Sequence, residues 1–411
     1  MRLLVLTHTF PPSTHANAKR PHYLVRGFLD AGWQVDVVTS PLGMPDDTRE
    51  TVDHPALRIF RLDDPVQILL RKCRRIPWLF RLTALSVAGV MWPDAFAGWA
   101  RKVFRLIREQ PAYERTLAFI LPASLLLGGR RPGLVNRTWT FDYQESVTPQ
   151  QRQLQRRSPL QRAWLPRLAA LECHTLHLAG RVVFTADTNR QAYIRERLVP
   201  AAATVHVPYF FDAAAFAAPA AAVSPGFEIV YFGTFDWRGA RSPETFLRAL
   251  ALFLQRHPEA RTQTRFRFYG NWLADHDRFI SELNLGEVVS IQPAVGYAEY
   301  LEKVRQSPVL LLVVSPAHNL FMPSKIVDYF GARRPILAFV PQHSEMRQVL
   351  HQAGQTRFTF DEQAVDEGAE ALAKLWTDWR ANNLTADSEK IQFWSSATQI
   401  PAYLDLVTHC Q

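Results

Sequence analysis

Apolar residues follow two alternating spacings along the chain, and this alternation predicts an α/β protein. A short apolar run at 3–6, apolar residues at helical spacing over 24–29 and a β-branched run at 35–38 predict a strand, a helix and a second strand. The same order restarts at 227–232, an aromatic and β-branched run that Gly233 ends. Strands that alternate with helices are typical of doubly wound parallel sheets, so we predict two such units.

The second half continues with helix and strand signals in turn. Residues 242–244, Ser-Pro-Glu, supply an N-cap, a first-turn proline and a first-turn acid for a helix. Further β-like runs lie at 266–269, 288–291, 309–314 and 336–340. The segment 213–225 is almost entirely Ala and Pro and predicts a hinge, so we place the domains at 1–222 and 223–390.

The net charge of +9 is concentrated in the first half of the chain. Residues 1–200 carry 29 Lys and Arg against 16 Asp and Glu, whereas residues 201–411 carry 18 against 22. A basic half suggests a polyanionic partner, which is nucleic acid, an anionic membrane surface or a phosphorylated substrate. No nucleic-acid motif accompanies the charge, so nucleic acid is not an expected partner. The longest apolar stretches hold 11 and 13 residues, fewer than the ~20 that span a bilayer, and we expect a cytoplasmic protein.

Two basic segments with interleaved apolar residues favour the membrane surface. The first, 69–81, and the second, 152–165, both have the composition of an interfacial helix that lies on anionic lipid. The membrane-facing residues predicted in the first segment are Arg71, Lys72, Arg74, Arg75, Trp78 and Phe80. A solvated helix face over a core is the alternative for both segments.

The turn at 233–244 is the first candidate for phosphate binding. Gly233 at a strand end lets the backbone approach a ligand closely, and a helix start with Arg241 beside it attracts phosphate. A plain strand-to-helix turn with solvated arginines is the alternative, because a full Gly-x-Gly-x-x-Gly pattern is missing.

A short helix that begins at Pro323 and Ser324 and ends at Gly331 is the second candidate. Lys325 falls in its first turn and Asp328 one turn further on, on the same face. A diphosphate would meet the helix start and Lys325, while ribose hydroxyls would meet Asp328. The alternative is an ordinary surface ion pair.

The order of the motifs resembles that of the family 4 glycosyltransferases of the GT-B fold. Similar segments follow the family's order at 5–12 (Val-Leu-Thr-His-Thr-Phe-Pro-Pro), 139–145, 171–185, 207–212, 233–244 and 323–329. The resemblance implies an α/β fold of two Rossmann-like domains that face each other across a cleft, with a C-terminal helix, 391–411, that returns to the first domain. It also implies that the first domain binds an acceptor and the second a nucleotide sugar.

The resemblance assigns roles to individual residues. The donor-binding residues would be Gly233, Arg241, Val295, Gly296, Tyr297, Asn319, Ser324, Lys325 and Asp328. Lys19 and Arg20 would belong to the acceptor loop. His318 is a catalytic candidate because it lies beside Leu320, which stands where the family has the first Glu of a Glu-x7-Glu pair.

Acids outside this pattern complete the set of candidates. Asp142 and Glu145 end a predicted first-domain strand, where either could serve an acceptor hydroxyl or be a satisfied structural acid. The triplet at 275–277, Asp-His-Asp, has a form used by metal-dependent glycosyltransferases, but its place before an apolar helical pattern favours a helix cap. We therefore expect no metal site, and no cofactor besides the nucleotide-sugar co-substrate.

The sequence as a whole predicts a metal-independent glycosyltransferase, with retention of configuration implied by the resemblance. The basic segments predict a lipid-linked or other glycan acceptor at the inner face of the plasma membrane, in envelope or exopolysaccharide synthesis. Leu320, and the lack of the family's first-domain histidine at 120–124, leave two alternatives open. One is a catalytically inactive binding or scaffold subunit, and the other is a GT-B sugar-nucleotide epimerase.

Overall fold

The computed structural model divides the chain into two compact units. Unit 1 comprises Met1–Pro208 and Gln399–Gln411, and unit 2 comprises Tyr209–Thr398. The residues that the structure describes are 1–13, 15–41, 53–73, 76, 78, 92–153, 159–217, 224–235, 241–316, 320, 322–385 and 389–409. The domain boundary predicted at 222 lies outside the described residues.

Unit 1 is built on a parallel sheet of seven described strands. In chain order they are β1 (Arg2–Leu6), β2 (Gln34–Thr39), β3 (Leu57–Arg61), β4 (Arg115–Ile120), β5 (Trp139–Tyr143), β6 (Arg181–Phe184) and β7 (Thr204–His206). Their spatial order is β3-β2-β1-β4-β5-β6-β7, and every neighbouring pair is parallel. All five residues of β5 are buried, as expected for a parallel strand covered on both faces.

Helices connect these strands and cover the sheet. They are α1 (Lys19–Asp30), α2 (Pro65–Cys73), α3 (Ala97–Glu109), α4 (Thr148–Gln153), α5 (Pro159–Leu178) and α6 (Asp187–Arg195), with a 3₁₀ segment at Ala123–Arg130. The core of this unit joins apolar side chains of the strands to Trp99, Phe104 and Tyr193 from the helices.

Unit 2 is built on a parallel sheet of six described strands in the order β10-β9-β8-β11-β12-β13. The strands are β8 (Phe227–Thr234), β9 (Thr264–Asn271), β10 (Val289–Gln292), β11 (Val309–Val313), β12 (Ile336–Phe339) and β13 (Thr359–Phe360). The helices are α7 (Glu244–Arg256), α8 (Asp277–Glu282), α9 (Tyr297–Gln306), α10 (Lys325–Ala332), α11 (Glu345–Gln352) and α12 (Val365–Arg380). The last helix, α13 (Ser396–Thr408), begins in unit 2 and belongs to unit 1 from Gln399 onward.

The predicted architecture is confirmed, with two local corrections. The strands predicted from apolar runs are present as β1, β2, β8, β9, β10, β11 and β12. Strand β8 continues to Thr234, so Gly233 lies inside it rather than ending it. The prediction that Gly331 ends helix α10 is also wrong. That helix ends at Ala332, and Arg333 takes the left-handed conformation, with φ 52°.

Gly331 has a packing role instead of a capping role. A Cβ atom placed on it would lie 2.6 Å from the ring of Phe216, so only a glycine lets this ring approach the helix. No helix within the described residues combines the length and the hydropathy that a membrane span requires.

Candidate functional site

Two glycines face each other where strands β8 and β9 end in unit 2. Gly233 pairs with Gly270 in the parallel register, and both have positive φ angles, +132° and +143°. A Cβ atom on Gly270 would lie 1.9 Å from the carbonyl oxygen of Gly233. Only glycines fit this arrangement, and it leaves bare backbone at the carboxyl end of the sheet, where parallel α/β sheets bind ligands.

Lys325, the first residue of helix α10, reaches the same strand end. Its Nζ donates a hydrogen bond to the carbonyl oxygen of Phe232 at 3.0 Å and lies 3.5 Å from the centre of the Tyr231 ring. A Cβ atom built on Gly233 would lie 3.7 Å from this Nζ. The ammonium group and the glycine backbone therefore form one surface.

The charge of Lys325 is poorly compensated. Burial lowers the pKa of its ammonium group well below the ordinary value, and the nearby guanidinium of Arg241 lowers it further. Among the described residues, no carboxylate forms an ion pair with it. A half-buried cation whose described partners are a carbonyl and an aromatic ring is stabilised by an incoming anion.

Asp328 lies one turn further along the same helix and is 3% exposed. It hydrogen-bonds to Tyr300, and this bond and the charge of Asp328 help raise the pKa of that phenol, for which burial is the main cause. The Tyr300 ring packs edge-on against Phe232 at 4.8 Å. The carboxylate, this tyrosine and the end of β8 thus belong to one cluster.

The predicted base-binding residues follow strand β10 and begin helix α9. Gly296 occupies the N-cap position, and its carbonyl accepts a hydrogen bond from the Tyr300 amide at 2.8 Å. The ring of Tyr297 stacks near that of Tyr300, with 5.9 Å between the centres. Val295 precedes them and is half-buried. The helix start therefore connects to the Asp328 cluster through Tyr300.

The remaining donor candidates differ in how much the structure says of them. Ser324 is the half-buried N-cap residue of helix α10, and its side chain makes no capping hydrogen bond. Arg241 is half-buried and close enough to Lys325 to affect its pKa. His318 and Asn319 lie outside the described residues, while Leu320 is buried and 7% exposed.

A buried ion pair occupies the corresponding end of the sheet in unit 1. The Nε of Arg20 donates to both carboxylate oxygens of Asp142, at 3.1 and 3.0 Å. Its Nη atoms donate to the carbonyls of Pro208 and Val207, and the Tyr403 hydroxyl donates to Asp142 at 2.8 Å. Arg20 is 2% exposed and Asp142 fully buried. These contacts give both residues a structural role.

The catalytic role of Asp142 and the acceptor-loop role of Arg20 therefore gain no support from the geometry and stay predictions. Glu145 lies in the turn after β5 and is half-buried, so it is the more accessible of the two acids at this strand end. Lys19 begins helix α1 and is half-buried.

The first basic segment presents apolar side chains on the surface. Three of its large hydrophobic residues are exposed, Leu69 (47%), Ile76 (44%) and Trp78 (64%), as is the preceding Ile68 (41%). Lys72 on helix α2 is exposed beside them. Arg74, Arg75 and Phe80, and the side chain of Arg71, lie outside the described part of the chain.

Comparison with known proteins identifies the fold. The sequence matches no family model and no curated protein sequence. The structure resembles sucrose-phosphate synthase of Thermosynechococcus elongatus, with 14% identity and a TM-score of 0.66, over 99% of this chain and 98% of that one. It also resembles trehalose-6-phosphate synthase OtsA, with 15% identity and a TM-score of 0.66, over 100% and 99%.

A third similar structure is Anabaena HepE in complex with UDP, with 14% identity and a TM-score of 0.59, over 99% of this chain and 100% of that one. All three likenesses extend over essentially the whole of both chains. The chain therefore has the GT-B fold.

Proposed function

We propose that the protein is a glycosyltransferase that uses a nucleotide sugar bound by unit 2. The observation that carries this proposal is the uncompensated Lys325 ammonium beside the bare backbone of Gly233. Lys325, Arg241 and the start of helix α10 would hold the diphosphate, since ammonium, guanidinium and helix N-termini all bind phosphate. The structure of HepE with UDP, a protein of the same fold, supports this choice of ligand.

Asp328 and the start of helix α9 would hold the nucleoside. A buried carboxylate beside Tyr300 is suited to accept hydrogen bonds from ribose hydroxyls, and Val295, Gly296 and Tyr297 would contact the base. Ser324 and Asn319 would complete the donor site. The cluster of Asp328, Tyr300 and Phe232 supports this arrangement, because it connects both parts of the proposed site.

The proposed reaction needs positioning and charge stabilisation rather than a metal ion. The bond between the anomeric carbon and the diphosphate oxygen breaks, a bond from that carbon to the acceptor oxygen forms, and the acceptor hydroxyl loses its proton. Lys325 and Arg241 would stabilise the negative charge of the departing diphosphate. We propose retention of configuration, with Glu145 and His318 as the groups to test near the acceptor hydroxyl.

The proposed acceptor is a lipid-linked glycan at the cytoplasmic face of the plasma membrane. Exposed Ile68, Leu69, Ile76 and Trp78 in a segment rich in Arg and Lys support it, since such a surface binds anionic bilayers. Each basic residue near an anionic bilayer contributes about 1 kcal/mol. Envelope or exopolysaccharide synthesis is the setting that this acceptor implies.

A donor screen followed by a transfer assay tests the proposal. Thermal unfolding with UDP-, GDP-, dTDP- and CMP-sugars identifies the donor, because a ligand at 100 times its Kd stabilises the fold by about 2.7 kcal/mol. We then expect radiolabelled sugar from this donor to enter the lipid-extractable fraction of membranes. A protein that no nucleotide sugar stabilises would contradict the proposal, and conversion of the donor without an acceptor would identify an epimerase instead.

The membrane part of the proposal has its own test. Replacing Arg71, Lys72, Arg74 and Arg75 by Glu should detach the protein from anionic vesicles at low salt and leave its nucleotide affinity unchanged. Uncharged vesicles are the control for apolar insertion alone. A parent protein that ignores anionic vesicles at low salt would contradict the membrane-bound acceptor.

Leu320 supports a second candidate function, a binding or scaffold subunit without catalysis. It is buried and apolar at the position where the similar family has a carboxylate. Such a subunit would bind the donor and release no nucleotide in the presence of membranes. The transfer assay separates the two candidates, because only the enzyme releases the nucleotide when acceptor is present.

A further inference from the structure

A cavity of about 620 Å³ lies in unit 1, and its lining includes Trp164 of the second basic segment. Its volume falls within the range that holds small-molecule ligands. The lining residues are Trp92, Arg130, Trp164, Arg167, Ala170, Leu171 and His174. The lining therefore combines two indole rings, two guanidinium groups and an imidazole, without a carboxylate among the described residues.

The wall of this cavity is closely packed. The 3₁₀ segment Ala123–Arg130 packs against helix α5 so closely that a Cβ atom on Gly129 would lie 2.3 Å from the Thr175 hydroxyl oxygen. That hydroxyl donates to the carbonyl of Leu126 at 2.8 Å, and the His174 Nε2 lies 3.1 Å from the Gly129 carbonyl oxygen. Arg130 follows Gly129 directly, so its position is set by this packing.

His174 has a partner in the Gly129 carbonyl, whereas Trp92 and the two exposed arginines, Arg130 and Arg167, have no hydrogen-bond partner among the described residues. The indole nitrogen of Trp92 is buried and finds no hydrogen-bond acceptor there. The Arg130 guanidinium lies 5.7 Å from the centre of the Trp92 ring, and neither Arg130 nor Arg167 pairs with a carboxylate of a described residue. Arg130 and Arg167 are exposed, and a buried indole N–H without an acceptor beside two guanidinium groups favours a ligand that carries oxygen atoms and negative charge.

Arg131, the next residue in the chain, lies outside the cavity lining. Its guanidinium packs over the Phe104 ring, 5.0 Å from the ring centre.

We propose that the cavity binds an acidic saccharide, which is a sugar that carries a phosphate or carboxylate group. The indole rings would pack against the C–H face of the sugar ring, and the Trp92 indole N–H would donate to a sugar oxygen. Arg130 and Arg167 would pair with the acidic group. This site is independent of the proposed donor site in unit 2.

The placement of the tryptophans favours a saccharide over a bilayer. Trp92 and Trp164 are half-buried and line a cavity, whereas Trp78 projects from the surface with 64% of its area exposed. A side chain that inserts into lipid needs the exposure of Trp78. A hydrocarbon chain would also leave the indole nitrogen of Trp92 without an acceptor.

Isothermal titration with glucose 6-phosphate and glucuronate tests the proposal, with glucose and inorganic phosphate as reference probes. We expect at least one acidic sugar to bind more tightly than either reference probe. Arg130→Gln and Arg167→Gln should each weaken that binding about tenfold or more, as loss of a charge-assisted hydrogen bond does. Lys325→Met should leave it unchanged, which separates this site from the donor site.

Two matched variants control for overall charge. Arg131→Gln changes the next residue in the chain, and Arg162→Gln changes an exposed arginine on the same helix as Arg167, but neither side chain lines the cavity. Both should bind the acidic sugar like the parent. The proposal is overturned if no acidic sugar binds, if inorganic phosphate alone binds equally well, or if all four arginine variants behave alike. Loss of vesicle binding in Arg130→Gln and Arg167→Gln, with no change in sugar affinity, would assign the cavity to lipid instead.

Discussion

Each unit places a desolvated cation at the start of a helix near the carboxyl end of its sheet, but the two cations differ in their partners. Arg20 in unit 1 donates to both oxygens of Asp142 and to two backbone carbonyls. Lys325 in unit 2 has one carbonyl and the Tyr231 ring. The first cation has its counter-charge within the chain, and the second has none among the residues that the structure describes.

We propose that this difference separates a structural cation, Arg20, from a ligand-binding one, Lys325. A buried ion pair resists the loss of either member, because the remaining charge is left without water and without a partner. A desolvated cation without a counter-charge costs stability until an anion binds. Burial of a charge near a strand end is therefore not enough to identify a site, whereas burial without a counter-charge is.

The largest expected effect comes from breaking the unit 1 pair. Arg20→Met leaves the Asp142 carboxylate buried with only the Tyr403 hydroxyl as a side-chain donor, so we expect a loss of about 3–5 kcal/mol in the free energy of unfolding. Arg58→Met is the control, because Arg58 also pairs with an aspartate but its side chain is 57% exposed. That change should cost about 1 kcal/mol or less. Urea unfolding measures both, and equal losses would contradict the structural role of Arg20.

The second effect concerns the backbone of the proposed donor site. Gly270→Ala places a Cβ atom against the carbonyl of Gly233 and forces alanine into a positive φ, so unit 2 should lose about 1–3 kcal/mol of stability and bind nucleotide more weakly. Gly286→Ala is the matched control, since its Cβ would have no neighbour within 4 Å. Thermal unfolding measures the stability of both variants, and nucleotide titration measures their affinity. A Gly270→Ala protein as stable as the control would remove the requirement for glycine.

The third change, Lys325→Met, has a smaller effect, and we expect it to change stability and nucleotide affinity in opposite directions. Lys325→Met removes a charge that pairs with no described carboxylate and whose ammonium form burial disfavours, so the unliganded protein should be as stable as the parent or more stable. Nucleotide binding should weaken by about 1.5–3 kcal/mol, the range for hydrogen bonds to charged groups. Lys374→Met, which removes a lysine paired with Asp378, should leave nucleotide affinity unchanged. Unchanged affinity in Lys325→Met would exclude this lysine from the site.

The sequence predicts the strands and helix starts because these depend on local patterns. The start of the helix that carries Lys325 was predicted in this way. Gly270 was missed, because its role depends on the register between β8 and β9, and nothing next to it in the sequence signals its partner. Tyr300 was missed for the same reason, since it joins Asp328 only after helix α9 and helix α10 have packed.

The pair of Arg20 and Asp142 shows a different limit. Asp142 was singled out because it ends a predicted strand, and it was interpreted either as a group that serves an acceptor hydroxyl or as a satisfied structural acid. Arg20 was assigned to the acceptor loop by the family resemblance. Their contact spans 122 residues, and the third member, Tyr403, lies 261 residues from Asp142. A sequence pattern identifies which residues reach a strand end but not which of them neutralise one another there.

The smallest expected effect is a change in how stability and nucleotide affinity depend on pH. Burial, and then the charge of Arg241, hold the pKa of Lys325 below its ordinary value in the folded protein, while the unfolded chain keeps the proton up to about pH 10.4. Between these two pKa values the unfolded state binds more protons, so the contribution of Lys325 to stability rises with pH. This contribution is complete above the pKa of Lys325 in the unfolded chain. It is lost as the pH falls through the pKa of Lys325 in the folded protein.

Nucleotide binding should show the reverse trend, because the diphosphate needs the ammonium form. Affinity should fall as the pH rises through the folded pKa, and binding above that pH should take up a proton. Titration calorimetry in buffers of different ionisation enthalpy measures this uptake, and urea unfolding across alkaline pH measures the stability slope. Lys325→Met should remove both pH dependences, whereas Lys374→Met should keep them. If the parent takes up no proton on nucleotide binding at any alkaline pH, a counter-charge already holds the ammonium form of Lys325 in the free protein. The contrast between Lys325 and Arg20 would then fail.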